Sequence, residues 1–485
     1  MSAVATVVSD TTRTGPRLTW LRDRGMGASV LVAALSSALG VVLVETTAYI
    51  GAMLKADPYI GDSGTLAVVV ALLSVLLIGV ALYVGAIVTA NTFSTIIAGR
   101  TRRIALVRLI GGSARSQRVE VANQGLVVGA LGALIGLVVG FAMVWIGSAV
   151  ADRMLGALPS FSLMQPAILI PALGVALTTW AAAWVGSRRV LAVTPLQAIG
   201  GSVERSHDDA ARRPARHVGA LLLLIVGAAL LAFGVLIGLV TPLGVVVAFF
   251  GGLFSFTGIS LGSVLVMPPL LRLVGKLFGR SATARLAAEN ALRYPERSSR
   301  MAIGVVMGVT LVTMFAVALE SVKVLLAKAA GGELDSEFSL IMDSFAAIMM
   351  VLVGVSAVIA AVGLVNLLTI GVVQRRRELG LLRAIGLSNG QVRRMILLEA
   401  LHITITATVT GLVLGVAYGW IAAQSLLGSV RMPPNFDTAG LVSPAVPWIP
   451  VVVIIAATAV LTLVAAATPT RLATRVAPVE ALAVD

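Results

Sequence analysis

Glu45 and Glu320 each stand near the end of a long apolar run, and an ionisable side chain inside a membrane span is costly and often functional. Nineteen rises of about 1.5 Å separate Met301 from Glu320, roughly 29 Å against a hydrocarbon core of about 30 Å. Both carboxylates are therefore expected at the outer boundary of the membrane, either as solvated interface groups or as an outer gate or cationic-substrate contact. The second chemically loaded pattern is "RRRELGLLRAIGLSNGQVRRMI" (375–396), with six arginines between two apolar runs. Gly386 suits the left-handed position that closes a helix, and Ser388 followed three residues later by Gln391 has capping-box spacing. Such a helix-turn-helix can dock a partner, whereas anchoring on lipid needs the charge but not the turn.

Other chemistry is thinly supplied. Cysteine is absent, which excludes disulfides, thiolate metal sites and a cysteine nucleophile. His402, near the start of an apolar run, has no ligand cluster around it, so a metal or proton-carrier role has little support. No G-x-x-x-x-G-K-[ST] phosphate loop occurs, and Gly275-Lys276 is followed by Leu277, so the chain is not expected to hydrolyse ATP. Asn91 and Asn366 suit interhelical hydrogen bonds, with substrate contact as the alternative.

The elements that must position these residues are membrane spans. The 485-residue chain is 58% hydrophobic and 12% charged, and runs of 18 or more apolar residues recur along it. Ten spans are expected, at 27–51, 65–97, 121–150, 166–186, 217–240, 243–270, 301–320, 342–372, 396–425 and 446–468. The first lacks a clear cleavage site and is expected to stay as a span. Of the 36 Lys and Arg, all but Lys55, Arg153, Lys323, Lys328 and Arg431 fall on the side of the N-terminus, which places both termini in the cytoplasm. The net charge of +14 follows from this asymmetry. Anionic lipid explains it better than nucleic acid, which needs a basic patch on a soluble face.

Shifting the chain by 275 positions lays "RTRRIALVRLIGGSARSQRVEV" (100–121) on 375–396 without a gap. Arg108 meets Arg383, Gly111 meets Gly386 and Ser113 meets Ser388. The same offset pairs Glu45 with Glu320, Asn91 with Asn366, Gly136 with Gly411 and Gly140 with Gly415. After an insertion of eight, 187–199 matches 470–482, Pro195 on Pro478. The expected fold is all-α and polytopic, with parallel four-span repeats at 1–200 and 284–485. Between them lies 201–283, a cytoplasmic linker and two linking spans, the polar linker stretch itself running over 200–217. "ARLAAENALRYPERSSR" (284–300) reads as an amphipathic helix lying on the cytoplasmic surface. The first copy keeps Gly111 and Ser113 but has Ser116 where a capping box takes Gln or Glu. The G-x-x-x-G pairs at 136/140 and 411/415 suit close helix packing.

"VNLLTIGVVQRRRELGLLRAIGLSNGQVRRMILLEAL" (365–401), "AENALRYPERSSR" (288–300) and "RVAPVEAL" (475–482) resemble the FtsX-like ABC transporter permeases, the MacB/LolC or type VII fold. The resemblance implies a permease in a prokaryotic plasma (inner) membrane, driven by a separate cytoplasmic ABC ATPase that binds ATP and Mg, with no cofactor in this chain. Two ATPase copies on one chain make a sufficient assembly, since one polypeptide supplies both halves. By position, the coupling role falls on Arg377, Glu378, Leu382, Arg383, Gly386 and Ser388, and in the first repeat on Arg102, Arg103, Val107, Arg108, Gly111 and Ser113. Arg103 stands where the family has Glu, so the two docking sites need not be equivalent. The implied work is mechanotransmission, moving a hydrophobic or amphipathic substrate such as a lipid, lipopeptide or antibiotic by export or extraction. The alternative is a signalling subunit that controls an extracytoplasmic partner without transport; the short outer segments 52–64 and 321–341 weigh against it. An ion-driven transporter would need midplane carboxylates or broken helices.

Overall fold

The computed structural model describes residues 26–55, 101–155, 165–188, 214–277, 281–293, 295–329, 376–432, 437–438 and 440–475, with scattered helical positions between 71 and 90. The expected eighth span (342–372), most of the second (65–97), Asn91, Asn366 and most of the linker lie outside them. Seven described helices are long and apolar enough to cross a membrane. In chain order they are α1 (Met26–Lys55), α3 (Ala114–Leu155), α4 (Leu169–Gly186, entered through a 3-10 turn at Pro166–Ile168), α5 (Pro214–Gly238), α6 (Gly244–Leu261), α9 (Pro295–Ala329) and α11 (Asn389–Leu427). Between or beyond these lie α2 (Thr101–Leu109), α7 (Ser263–Gly275), α8 (Ala282–Arg293), α10 (Arg376–Ala384) and α12 (Trp448–Arg475). The chain is a multi-pass membrane protein, and the expected ten spans accord with this set.

The third helix of each repeat crosses the first in one register. A Cβ on Gly136 would meet Ala34, Ser37 and Ala38 of α1, and one on Gly411 would sit 2.7 Å from Cβ of Val309 in α9. One turn on, Gly140 abuts Ala38 and Val41, while Gly415 abuts Thr310 and Thr313. Ala34 and Val309, like Ala38 and Thr313, are 275 positions apart. Without side chains at these crossings the backbones can touch, which is how helices associate where lipid supplies no hydrophobic drive. Ser37 adds a hydrogen bond from its hydroxyl to the Ala133 carbonyl at 3.0 Å.

Helices α5 and α6 form a hairpin with small residues at its contact, Gly227 against Ser255 and Gly234 against Ala248. Hydroxyl pairs lie on both sides of α6: Tyr83 Oη is 2.7 Å from Thr257 Oγ1, and Tyr418 Oη of α11 is 2.7 Å from Ser255 Oγ. The linking hairpin thus sits between the second span and the second repeat. A shared core of Val32, Phe256, Met267, Leu271, Met301, Val306, Ile403 and Ile454 joins the layers.

Two expectations change. The run 243–270 is not one helix: it breaks at Gly262, whose amide closes α6 on the Gly258 carbonyl at 2.8 Å, and α7 restarts with Pro268 and Pro269 inside it. The amide donors that these two prolines lack would bond carbonyls within α7 itself, so the break belongs to Gly262 and not to them. The amphipathic segment at 284–300 ends as a separate helix at Arg293, and Pro295 opens α9, a position where its missing N–H costs nothing. Its apolar face is not laid in lipid. Ala287 is buried with Val392, Met395 and Ile396 of α11.

The second repeat carries an elaboration at the end of α11 remote from its charged turn. Residues 428–447 connect α11 to α12 and contain a two-residue antiparallel ribbon, β1 (Arg431–Met432) with β2 (Asp437–Thr438). Gln424 clamps this loop from below: its Nε2 donates to the Gly440 carbonyl at 2.7 Å and its Oε1 accepts from the Val442 amide at 2.6 Å. Trp420 Nε1 donates to the Val442 carbonyl at 2.8 Å. The eight-residue insertion falls between these two helices, where the loop lies.

Candidate coupling site

The turn between α10 and α11 is closed from both sides. Gly386 has φ 109°, a left-handed conformation that a side chain resists. Its amide donates to the Arg383 carbonyl at 3.1 Å, and the Leu387 amide donates to the Leu382 carbonyl at 3.1 Å. This pair of bonds is the Schellman closure, which satisfies the orphan carbonyls of α10. Ser388 then caps α11: its hydroxyl accepts from the Gln391 amide at 3.3 Å, and Gln391 Oε1 accepts from the Ser388 amide at 2.9 Å. The capping box read from spacing is present in full. The two leucines of the closure, Leu382 and Leu387, pack with Leu286 against the buried cluster of Ala287, Val392, Met395 and Ile396. Helix α8 therefore anchors the turn.

The first copy has the same backbone and a thinner set of side chains. Gly111 has φ 99°; its amide donates to the Arg108 carbonyl at 3.2 Å, and the Gly112 amide to the Val107 carbonyl at 2.9 Å. Ser113 Oγ accepts from the Ser116 amide at 3.0 Å, but Ser116 is too short to return the bond to the cap. Where the second copy has Leu387, the first has Gly112, and a Cβ there would lie 2.6 Å from Val107 Cγ1. The apolar contact of a Schellman turn is therefore missing from this copy.

Both turns expose their polar groups. Gly111, Ser113, Gly386, Ser388 and Glu378 are exposed; Val107, Arg108, Leu382 and Arg383 are partly buried. Arg102 and Arg103 lie within α2 and Arg377 within α10. Behind each turn runs one unbroken helix. The 42 residues of α3 extend about 63 Å and the 39 of α11 about 58 Å, twice the hydrocarbon thickness of about 30 Å. Each turn is thus fixed to the foot of a rod that reaches the opposite face.

The matched glutamates part company. Glu45 is 0% exposed, and neither carboxylate oxygen has a hydrogen-bond partner among the described residues; the solvated alternative fails for it. Glu320 is partly exposed. Glu45 continues the 34, 38, 41 stripe by which α1 faces α3; Glu320 holds the matching place on α9 and is nonetheless partly exposed. His402 is fully buried, with Nε2 2.7 Å from the Leu271 carbonyl oxygen of α7. A carbonyl only accepts, so Nε2 carries the proton, and the contact ties α11 to α7. No group of three or more His, Cys, Asp or Glu able to hold a metal occurs among the described residues.

Sequence reasoning missed Leu387 and the anchor on α8. Its signal was available in Ala284, Ala287 and Ala291, small residues on one helical face that mark a close helix contact rather than a lipid-facing surface.

A family model, FtsX-like permease C-terminal, matches residues 75–195 and 350–478, just over half of the chain and both of its charged turns. The ABC transporter permease YtrF of Bacillus subtilis (strain 168) is 38% identical over 66 residues, 13% of this chain and 15% of that protein. The macrolide export ATP-binding/permease protein MacB of Bordetella avium (strain 197N) is 27% identical over 78 residues, 16% of this chain and 12% of its own length. An uncharacterized ABC transporter permease of Bacillus subtilis (strain 168), YknZ, is 28% identical over 74 residues, 15% of this chain and 18% of its own. The matched stretches span less than a fifth of each relative.

Proposed function

This chain belongs to the FtsX-like permease family, and we propose that it is the membrane-spanning subunit of an ABC transporter whose ATP is bound and hydrolysed, with magnesium, by a separate cytoplasmic ATPase. Two ATPase copies engage one chain, one at each turn. The absence of a phosphate loop from the sequence supports the division of labour. The observation that carries the reading is mechanical: each Gly-closed, Ser-capped turn sits at the foot of a single helix running to the far side.

In this mechanism the ATPase grips α2 and α10 through Arg102, Arg103, Val107 and Arg108 on one side and Arg377, Glu378, Leu382 and Arg383 on the other. Gly111 with Ser113, and Gly386 with Ser388, hold each grip at a fixed angle to α3 or α11. Closure of the ATPase pair tilts both rods, and the crossings at Gly136 and Gly411 carry the tilt to α1 and α9. The outer ends of those helices hold Glu45 and Glu320, which form the outer gate. Rod movement uncovers the enclosed Glu45 toward an outer cleft. The substrate is hydrophobic or amphipathic, a lipid, lipopeptide or antibiotic, and is exported or extracted across a prokaryotic inner membrane with both termini in the cytoplasm. The printed function of MacB, macrolide export, belongs to that class.

The test is ATP hydrolysis by a candidate ATPase co-purified with this chain in lipid. Wild type should retain the ATPase and stimulate it. Arg383→Glu, which reverses charge at the grip, should release it or abolish stimulation. An ATPase that fails to co-purify, or an unaffected Arg383→Glu variant, would sink the proposal.

A further inference from the structure

At the foot of the first repeat, on the face that bears the coupling turns, two guanidinium groups converge on one indole. Arg118 of α3 stacks 3.8 Å from the Trp184 ring centroid, and Arg188, just past the end of α4, lies 5.8 Å from it. Arg118 Nε donates to Ser187 Oγ at 3.3 Å and its Nη2 to the Trp184 carbonyl at 3.4 Å. Buried Ser187 is itself fixed by donating to that carbonyl at 2.7 Å. An arginine has five N–H donors, so three remain on Arg118 after these contacts.

Among the described residues nothing neutralises this positive charge. Neither Arg118 nor Arg188 has a carboxylate partner among the described residues, and nearby Glu120 accepts instead from Gln117 and Gln124, each at 3.4 Å. An indole face steadies a cation through its quadrupole but supplies no counter-charge. Below the two arginines an apolar stripe descends along α4: Trp184, Trp180, Leu177 and Leu173, all exposed and spaced to share one helix face. Guanidinium donors at the membrane boundary above a continuous apolar track match the two ends of a lipid. The second repeat keeps Arg393 in place of Arg118 but has Ala467 where the stacking platform would stand.

We propose that Arg118, Arg188 and Trp184 form a binding site for the headgroup of an anionic phospholipid, with an acyl chain lying along Trp180, Leu177 and Leu173. The site lies five residues beyond Ser113 on the same rod, so a bound lipid steadies the foot of the first repeat, which lacks the leucine anchor of the second. The proposal goes beyond the coupling role and is read without any ATPase, so the two can fail separately.

The full-length chain is reconstituted in phosphatidylcholine bilayers containing a minority of either brominated phosphatidylglycerol or brominated phosphatidylcholine. The readout is quenching of the fluorescence that Trp184→Phe removes, with Trp145→Phe as the control for an exposed tryptophan elsewhere. Wild type should be quenched preferentially by the anionic lipid. Arg118→Gln with Arg188→Gln should lower that preference by roughly twenty-fivefold, each charge near the surface supplying about a fivefold factor. Arg188→Gln alone, which removes no hydrogen bond to the described residues, should lower it about fivefold and keeps the test valid if the double variant folds poorly. Equal quenching by both lipids in wild type, or a preference unchanged in Arg188→Gln, overturns the site. Displacement of the brominated lipid by inorganic phosphate overturns the lipid assignment.

Discussion

The two charged turns share a backbone and differ in what supports it. Both close on a glycine of positive φ and both cap the next helix with serine. The second adds Leu387 packed against α8 and a reciprocal bond from Gln391; the first has Gly112 and Ser116 at those places. A backbone motif can thus be copied along a chain while its stiffness is set by side chains one or two positions away. The second turn is built to resist deflection, and the first is freer to yield. A push applied equally at the two turns would then move α11 more directly than α3.

The largest test of this difference is a proline. A proline holds φ near −65° and costs about 3 kcal/mol or more where the backbone cannot follow. Gly386→Pro and Gly111→Pro should each break a turn, and each also deletes an amide donor, to Arg383 or to Arg108. Stimulated ATP hydrolysis should be lost in Gly386→Pro and fall by less in Gly111→Pro. Equal losses would mean that the asymmetry of support has no mechanical consequence.

Next in size is the outer end of the same rod. Gln424→Ala should leave the Val442 amide and the Gly440 carbonyl without their side-chain partners, at about 1–3 kcal/mol for a buried group so stranded. The first repeat has Ala149 at the matching position, and its Trp145 is exposed, whereas Trp420 is bonded to the outer loop. Protease cleavage within 428–447 should speed up in Gln424→Ala while the helices stay intact. An unchanged cleavage rate would show that the ribbon holds itself.

Leu387→Ala addresses the anchor directly. Truncating a partly buried leucine should cost about 1–2 kcal/mol, and the loss should appear as faster amide exchange through 382–391. The reverse change in the first copy does not build an anchor. An alanine at Gly112 would press on Val107, so Gly112→Ala should destabilise that turn as well. A more stable Gly112→Ala would refute the assigned role of the missing side chain.

How much of this was legible depends on range. The turns were readable because Gly386, Ser388 and Gln391 act within five residues of one another, and the offset of 275 repeated the signal. The docking of α8 on Val392, Met395 and Ile396 spans more than a hundred residues of sequence, and its one local sign, the small residues Ala284, Ala287 and Ala291 on one face, names no partner. The different burial of Glu45 and Glu320 was hidden because they sit in equally apolar runs and on matching faces of matching helix crossings. The break at Gly262 was hidden by the length of the apolar run in which that glycine lies.

The smallest effect is the most pointed, because it asks whether the difference can be removed by one residue. Ser388→Ala should cost about 1 kcal/mol, the usual value of a helix cap, and Ser113→Ala should cost no more. In the first copy the Ser113 amide lacks the side-chain acceptor that Gln391 provides to Ser388. Ser116→Gln supplies a side chain of the length and chemistry that closes the box at the second site. Amide exchange at Ser113 should then slow by about threefold, a gain of roughly 0.6 kcal/mol, within the range of single caps. Exchange at Ser388 should not change, since the two turns belong to different repeats. If Ser113 exchanges at its original rate, the first turn is held open by more than a short side chain. The likeness of the two copies would then end at the backbone.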